Sequence, residues 1–95
     1  MEMKCIEHLP KEGRFVLHGD ADDAALIYRR VDEGTLDFEH TYVPPELRGG
    51  GLGGRLVREG LEWAKREGYW VIPSCPFVAE FIERHPEYRE LEQSR

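Results

Sequence analysis

Residues 44–57 read Pro44-Pro45-Glu46-Leu47-Arg48-Gly49-Gly50-Gly51-Leu52-Gly53-Gly54-Arg55-Leu56-Val57. Five of the six positions from Gly49 to Gly54 are glycine, and an amphipathic helical pattern starts at once. Glycine lets successive backbone N–H groups turn toward one point with no Cβ in the way. The helix adds the unpaired N–H groups of its first turn and the positive end of its dipole. A loop of this kind takes a phosphate or pyrophosphate. The first expectation is therefore a phosphate-bearing ligand.

Outward from the loop, the helix is expected over Leu52–Glu67. Leu52, Leu56, Val57, Gly60, Leu61, Trp63 and Ala64 share one half of the wheel, and Arg55, Arg58, Glu59, Glu62, Lys65 and Arg66 fill the other. Gly68 is its stop. Before the loop, short strands are expected at residues 3–7, 14–18 and 22–31. A turn at Asp32-Glu33-Gly34 then leads into a regular strand over residues 35–43. In that strand Leu36, Phe38, His40 and Tyr42 alternate with Thr35, Asp37, Glu39 and Thr41, which predicts two opposed faces. After the helix come a strand over residues 69–72 and a second helix. Pro76 suits that helix's first position and Cys75 its cap, Phe77, Val78, Phe81 and Ile82 form its buried face, and Pro86 ends it. Trp63 and Trp70 are read as core, and residues 89–95 as a fraying tail. A strand reached through a helical crossover runs parallel to the one before it. The order is that of an α+β fold: a mainly antiparallel sheet with a β-α-β crossover and two helices, in one domain over residues 1–95.

Composition narrows the function. The net charge of −6 argues against nucleic acid as a partner, which calls for a basic face, and mildly favours cationic substrates such as amines. No apolar run is long enough to span a membrane and the first eleven residues carry no signal-peptide pattern, so a cytoplasmic protein is expected. Two cysteines, Cys5 and Cys75, are too few for a disulfide scaffold. The four histidines fit no ligand spacing, so no metal is expected.

The glycine run can be aligned with three phosphate-binding patterns. A P-loop needs Lys-Ser/Thr after the last glycine, where this chain has Arg55-Leu56. Gly49, Gly51 and Gly54 match a dinucleotide fingerprint, but a hairpin precedes them and no suitably placed acidic residue follows. Arg48, Gly51 and Gly53 form Arg-x-x-Gly-x-Gly, which resembles the pyrophosphate loop of GNAT-type N-acetyltransferases, set between a central strand and a long helix as here. A glycine-rich turn without a ligand is the bland alternative. The segments 38–49 and 73–78, with His85-Pro86-Glu87-Tyr88, also resemble the minimal GNAT-like proteins of the YjdJ type. The likeness runs from about residue 14 to residue 88.

The resemblance implies a minimal GNAT-like fold and an acetyl-CoA-dependent N-acetyltransferase acting on an amine, as a monomer or weak dimer. It assigns the coenzyme pyrophosphate to amides of Arg48, Gly49, Gly50, Gly51, Leu52, Gly53 and Gly54. It assigns the pantetheine arm and thioester carbonyl to the strand end at Thr41, Tyr42 and Val43. It also makes Cys75 the catalytic candidate, as nucleophile or as proton donor to the leaving thiolate. Its cap position favours the thiolate, although small buried cysteines are often inert. His40 is a possible general base, or a satisfied core histidine on the face of Leu36 and Phe38. The tyrosine that usually protonates the leaving thiolate is missing near Ile82. With the first strand expected so early in the sequence, the N-terminal helices that usually shape the acceptor site are not expected, and an open acceptor pocket is. A module that binds acetyl-CoA without chemistry is the alternative.

Overall fold

The computed structural model describes residues 5–19 and 22–92. Strands β1 (Ile6–Leu9), β2 (Arg14–Leu17), β3 (Ala24–Asp32) and β4 (Thr35–Tyr42) are followed by α1 (Leu52–Glu67), β5 (Trp70–Ile72) and α2 (Pro76–Arg84). The strands form one sheet in the order β1-β2-β3-β4-β5. The first four pair antiparallel, and β5 lies parallel to β4, as the crossover requires. The fold is α+β. Between β3 and β4 the Asp32 carboxylate accepts the Gly34 N–H at 2.9 Å and fixes the turn. β1 starts at Ile6, three residues later than the predicted strand, whose positions 3 and 4 lie outside the described residues.

The helices lie side by side over one face. Phe15, Leu17, Leu26, Tyr28, Leu36, Phe38 and Val71 of the sheet meet Leu56, Val57, Leu61 and Ala64 of α1 and Val78, Phe81 and Ile82 of α2 in one core. Gly60 allows α1 to approach closely: a Cβ there would stand 2.7 Å from Leu26 Cδ2 and 3.1 Å from Phe38 Cε2. α1 stops at Gly68, whose φ of 80° favours glycine. Cys75 caps α2 and Pro76 opens it, as predicted. Three expectations are corrected. Trp70 is 49% exposed and Phe77 43%, because Trp70 alternates with core Val71 and Phe77 starts the first turn of α2 on its outer side. Residues 89–92 do not fray: Pro86–Leu91 is a 3-10 turn that buries Tyr88 and Leu91, and Glu92 bridges to Val71. The rest of the predicted tail, residues 93–95, lies outside the described residues.

The predicted alternation along β4 holds only as far as Phe38. The register steps from Tyr28 opposite Phe38 to Ile27 opposite His40, so Glu39 is the extra residue of a β-bulge. Directly paired residues share a face. Beyond the bulge Thr41, opposite Leu26, therefore faces the helices, while His40 and Tyr42, opposite Ile27 and Ala25, face away. His40 is exposed and does not share a face with Leu36 and Phe38. No helix of the described residues packs on that far face, which also carries Asp37 and Trp70.

Candidate functional site

After β4 the buried Pro44 leads into a single 3-10 turn, Pro45–Leu47. Arg48 then folds back, and its Nε donates to the Val43 carbonyl at 2.9 Å. Gly49 and Gly51 adopt φ of 88° and 73°. A Cβ would touch nothing within 4 Å at either position, so glycine is required by conformation and not by space. The first helical bond of α1 runs from the Arg55 N–H to the Gly51 carbonyl at 3.0 Å. The N–H groups of Leu52, Gly53 and Gly54 therefore have no helical partner, and no side chain caps them. The first turn holds no acidic residue, so nothing there opposes an incoming anion. Gly53 leaves room for its neighbours: a Cβ would lie 3.0 Å from the Phe77 ring and 3.3 Å from Val43 Cγ2.

A groove of about 540 Å³ runs from this loop along β4, lined by His40, Thr41, Tyr42, Val43, Leu47, Arg48, Gly49, Gly51, Leu52, Gly53, Gly54 and Phe77. These include every position expected for the coenzyme except Gly50. The β4–β5 ladder ends at Asp37 opposite Ile72, and one further bond, Cys75 N–H to Phe38 O at 2.9 Å, closes it. From Glu39 onward the chain after β5 turns into α2 and leaves the β4 edge free. The groove therefore combines unpaired helix N–H groups at one end with an open strand edge at the other. That pairing suits a long ligand with an anionic head and an amide-bearing tail.

Cys75 sits at the apex where the two strands part. It is 5% exposed and does not line the groove, but its Sγ lies 3.5 Å from Thr41 Oγ1, and Thr41 does line it. Burial pushes the thiol up. The Thr41 hydroxyl and the N–H groups of Val78, Phe77 and Thr41 outweigh it, and the net shift is below the ordinary thiol value. His40 stands at the groove's outer rim. Tyr42 donates its hydroxyl to Asp22 at 3.3 Å. Tyr88 is fully engaged elsewhere: its hydroxyl donates to Glu62 Oε2 at 2.6 Å and accepts from Arg58 at 3.2 Å.

Sequence reasoning missed Asp37. Its side chain is 13% exposed, its Oδ1 is buried without a partner, and its Oδ2 is 3.8 Å from Arg29, which also holds Glu39 at 2.9 Å. Alternation placed it on the outer face correctly, but gave no sign that a neighbouring arginine would cross over it. Among the described residues, no cluster of His, Cys, Asp or Glu suits a metal ion, and no helix is long and apolar enough to cross a membrane.

A family model described as GCN5-related N-acetyl-transferase matches residues 14–91. Protein NATD1 of Danio rerio is 30% identical over 89 residues, covering 90% of this chain and 81% of that protein. The protein of the same name from Homo sapiens is 28% identical over 98 residues, covering 98% and 87%. A GCN5-like protein from Staphylococcus aureus, solved in solution by NMR, superposes with a TM-score of 0.78 at 28% identity, over 100% of this chain and 93% of that one. With the glycine loop, the parted strands and the crossover helix in one continuous arrangement, the chain belongs to the GCN5-related N-acetyltransferase family.

Proposed function

We propose that this protein transfers an acetyl group from acetyl-CoA to a primary amine. The observation that carries the reading is the continuity of the groove, from the uncapped N–H groups of Leu52 to Gly54 to the free β4 edge at Thr41 to Val43. The residues present fit the coenzyme. The loop's N–H groups receive the pyrophosphate, and Arg48 supplies a cation beside it. The β4 edge pairs with the pantetheine amides, while Val43, Leu47 and Phe77 cover its apolar parts. When bound, the coenzyme supplies the activated acetyl group. The chain's own task is to orient it, to donate an N–H to the thioester oxygen from the strand end, and to hold an amine nearby in neutral form. Thr41 lines the inner end of the free edge and Cys75 lies behind it, so with the coenzyme bound a proton would pass from the Cys75 thiol through the Thr41 hydroxyl, 3.5 Å away, to the leaving thiolate. On the far face, Asp37 and Glu39 give the acceptor side its negative charge. His40 at the rim accepts a proton from the incoming ammonium.

A second reading has its own support. Cys75 is nearly covered and the Tyr88 hydroxyl is committed to Glu62, an arrangement that also fits a protein that binds acetyl-CoA and does no chemistry. One experiment separates the two. The full chain is incubated with acetyl-CoA and a panel of amines, with thermal shift and coenzyme release followed together. Transfer predicts a raised Tm and release of free coenzyme, with release falling roughly tenfold or more in Cys75→Ala while the Tm shift is kept. A raised Tm with no release on any amine selects the binder. An unchanged Tm at saturating coenzyme overturns both readings, because a ligand at a hundred times its Kd adds about 2.7 kcal/mol.

A further inference from the structure

A second concavity, of about 310 Å³, opens at the far end of α1. It lies between the β1–β2 turn (Pro10 to Gly13), Tyr28 and Arg30 of β3, Leu36 of β4, Trp63 of α1 and Tyr69. A helix of sixteen residues is about 24 Å long, and the glycine loop stands at its other end. The two sites cannot share one small ligand.

The walls of this cavity are aromatic and held in place. Trp63 meets Tyr69 at 5.3 Å and Tyr28 at 5.6 Å between ring centroids. From behind, the His8 ring abuts Trp63 edge-on at 4.4 Å and Phe15 lies at 5.8 Å. The Tyr28 hydroxyl is tied to His8 Nε2 at 2.6 Å. The indole is therefore packed on several sides and still borders open space. The mouth is positive. Arg30 lies over the Tyr69 ring at 5.5 Å and donates to the Glu33 carbonyl at 3.1 Å, which fixes its guanidinium at the rim. Lys11 stands at the rim with it. The rim's acid, Glu12, leans toward Arg14 at 3.7 Å. A chain of net charge −6 thus gathers two cations around an aromatic slot.

We propose that this cavity binds a small planar aromatic carboxylate, its ring against the open sides of Trp63 and Tyr69 and its carboxylate toward Arg30 and Lys11. Aromatic walls alone would equally suit a quaternary ammonium, but the rim repels cations. The volume is at the low end for ligand sites, which limits the occupant to one or two fused rings. The carboxylate gains charge-assisted hydrogen bonds from a guanidinium that is already positioned. This inference does not depend on the acetyl-transfer reading.

The test uses the ¹⁵N-labelled full chain titrated with 1-naphthoate, with 1-naphthylmethylamine as the cationic control. The expected result is saturable shifts of the Trp63 indole N–H and the Gly13 amide, with the Gly49–Gly54 amides unmoved. Arg30→Gln, at an exposed position, should weaken naphthoate binding roughly tenfold, as loss of one charge-assisted contact does, and leave the unliganded spectrum otherwise intact. Three outcomes overturn the proposal: the amine binding as well as the carboxylate, an affinity indifferent to Arg30→Gln, or shifts confined to the glycine loop.

Discussion

Gly53 and Gly60 both lie on the buried side of α1, yet an alanine would act differently at each. At Gly60 the new methyl would stand 2.7 Å from Leu26 Cδ2 and 3.1 Å from Phe38, side chains with no exposed surface and nowhere to retreat. Overpacking costs about 1–3 kcal/mol, against about 1 kcal/mol regained from helix propensity. Gly60→Ala should lower stability by about 1 kcal/mol, read as a urea midpoint lower by about 0.5–1 M, with coenzyme binding retained by the fraction that remains folded. At Gly53 the contact is the tip of the Phe77 ring, which is 43% exposed and free to swing outward. Gly53→Ala should leave the urea midpoint nearly unchanged. Because Phe77 lines the groove, displacing its ring should raise the Kd for CoA roughly fivefold in a titration, equivalent to about 1 kcal/mol.

At the scale of elements, legibility followed how many residues share a constraint. α1 was readable because sixteen positions average out local exceptions. The glycine loop was readable because positive φ at Gly49 and Gly51 excludes other residues. The Cys75 cap was readable because Pro76 signals a first turn. The face of His40 was not, since a single inserted residue, Glu39, reverses every side chain beyond it and leaves no mark in a lone sequence. Nor could the sequence show that β1 hangs on a histidine. His8 stacks on Phe15 at 4.0 Å and gives its Nε2 to the Tyr28 hydroxyl, and burial holds its pKa below the ordinary 6.5. In the unfolded chain it takes a proton near that value, so below it the unfolded state binds more protons than the folded one. Stability is complete above about pH 6.5 and drains as pH falls toward the lower, folded value. The expected outcome is a larger loss of urea midpoint between about pH 7 and pH 5.5 in the wild type than in His8→Gln. His18, whose pKa is raised first by its bond to Glu7 and then by Asp23, shifts the opposite way but is common to both proteins and cancels in the comparison.

For the whole molecule, one sheet face has helices and the other has none among the described residues, so most of the apolar burial comes from a single layer of contacts. In so short a chain that leaves little surplus, which makes the segment after α2 consequential. Its charged composition reads as a tail, since two apolar side chains among acids and bases set up no period. Tyr88 is nevertheless 1% exposed and Leu91 8%, in a segment packed against α2 and α1. The Tyr88 hydroxyl joins Glu62 and Arg58 of α1 to the segment, and Glu92 extends the sheet beside Val71. Burying two large side chains is worth about 1.5–3 kcal/mol each. Domains of this size hold about 5–15 kcal/mol in total. A chain ending at residue 85 should therefore lose its cooperative urea transition or have its midpoint cut by half or more. A chain ending at residue 92 keeps Tyr88, Leu91 and the Glu92 bridge and should retain a cooperative transition. Equal transitions for the two truncations would mean that the packing around Tyr88 contributes no net stability, and that the core of α1, α2 and the sheet closes without it.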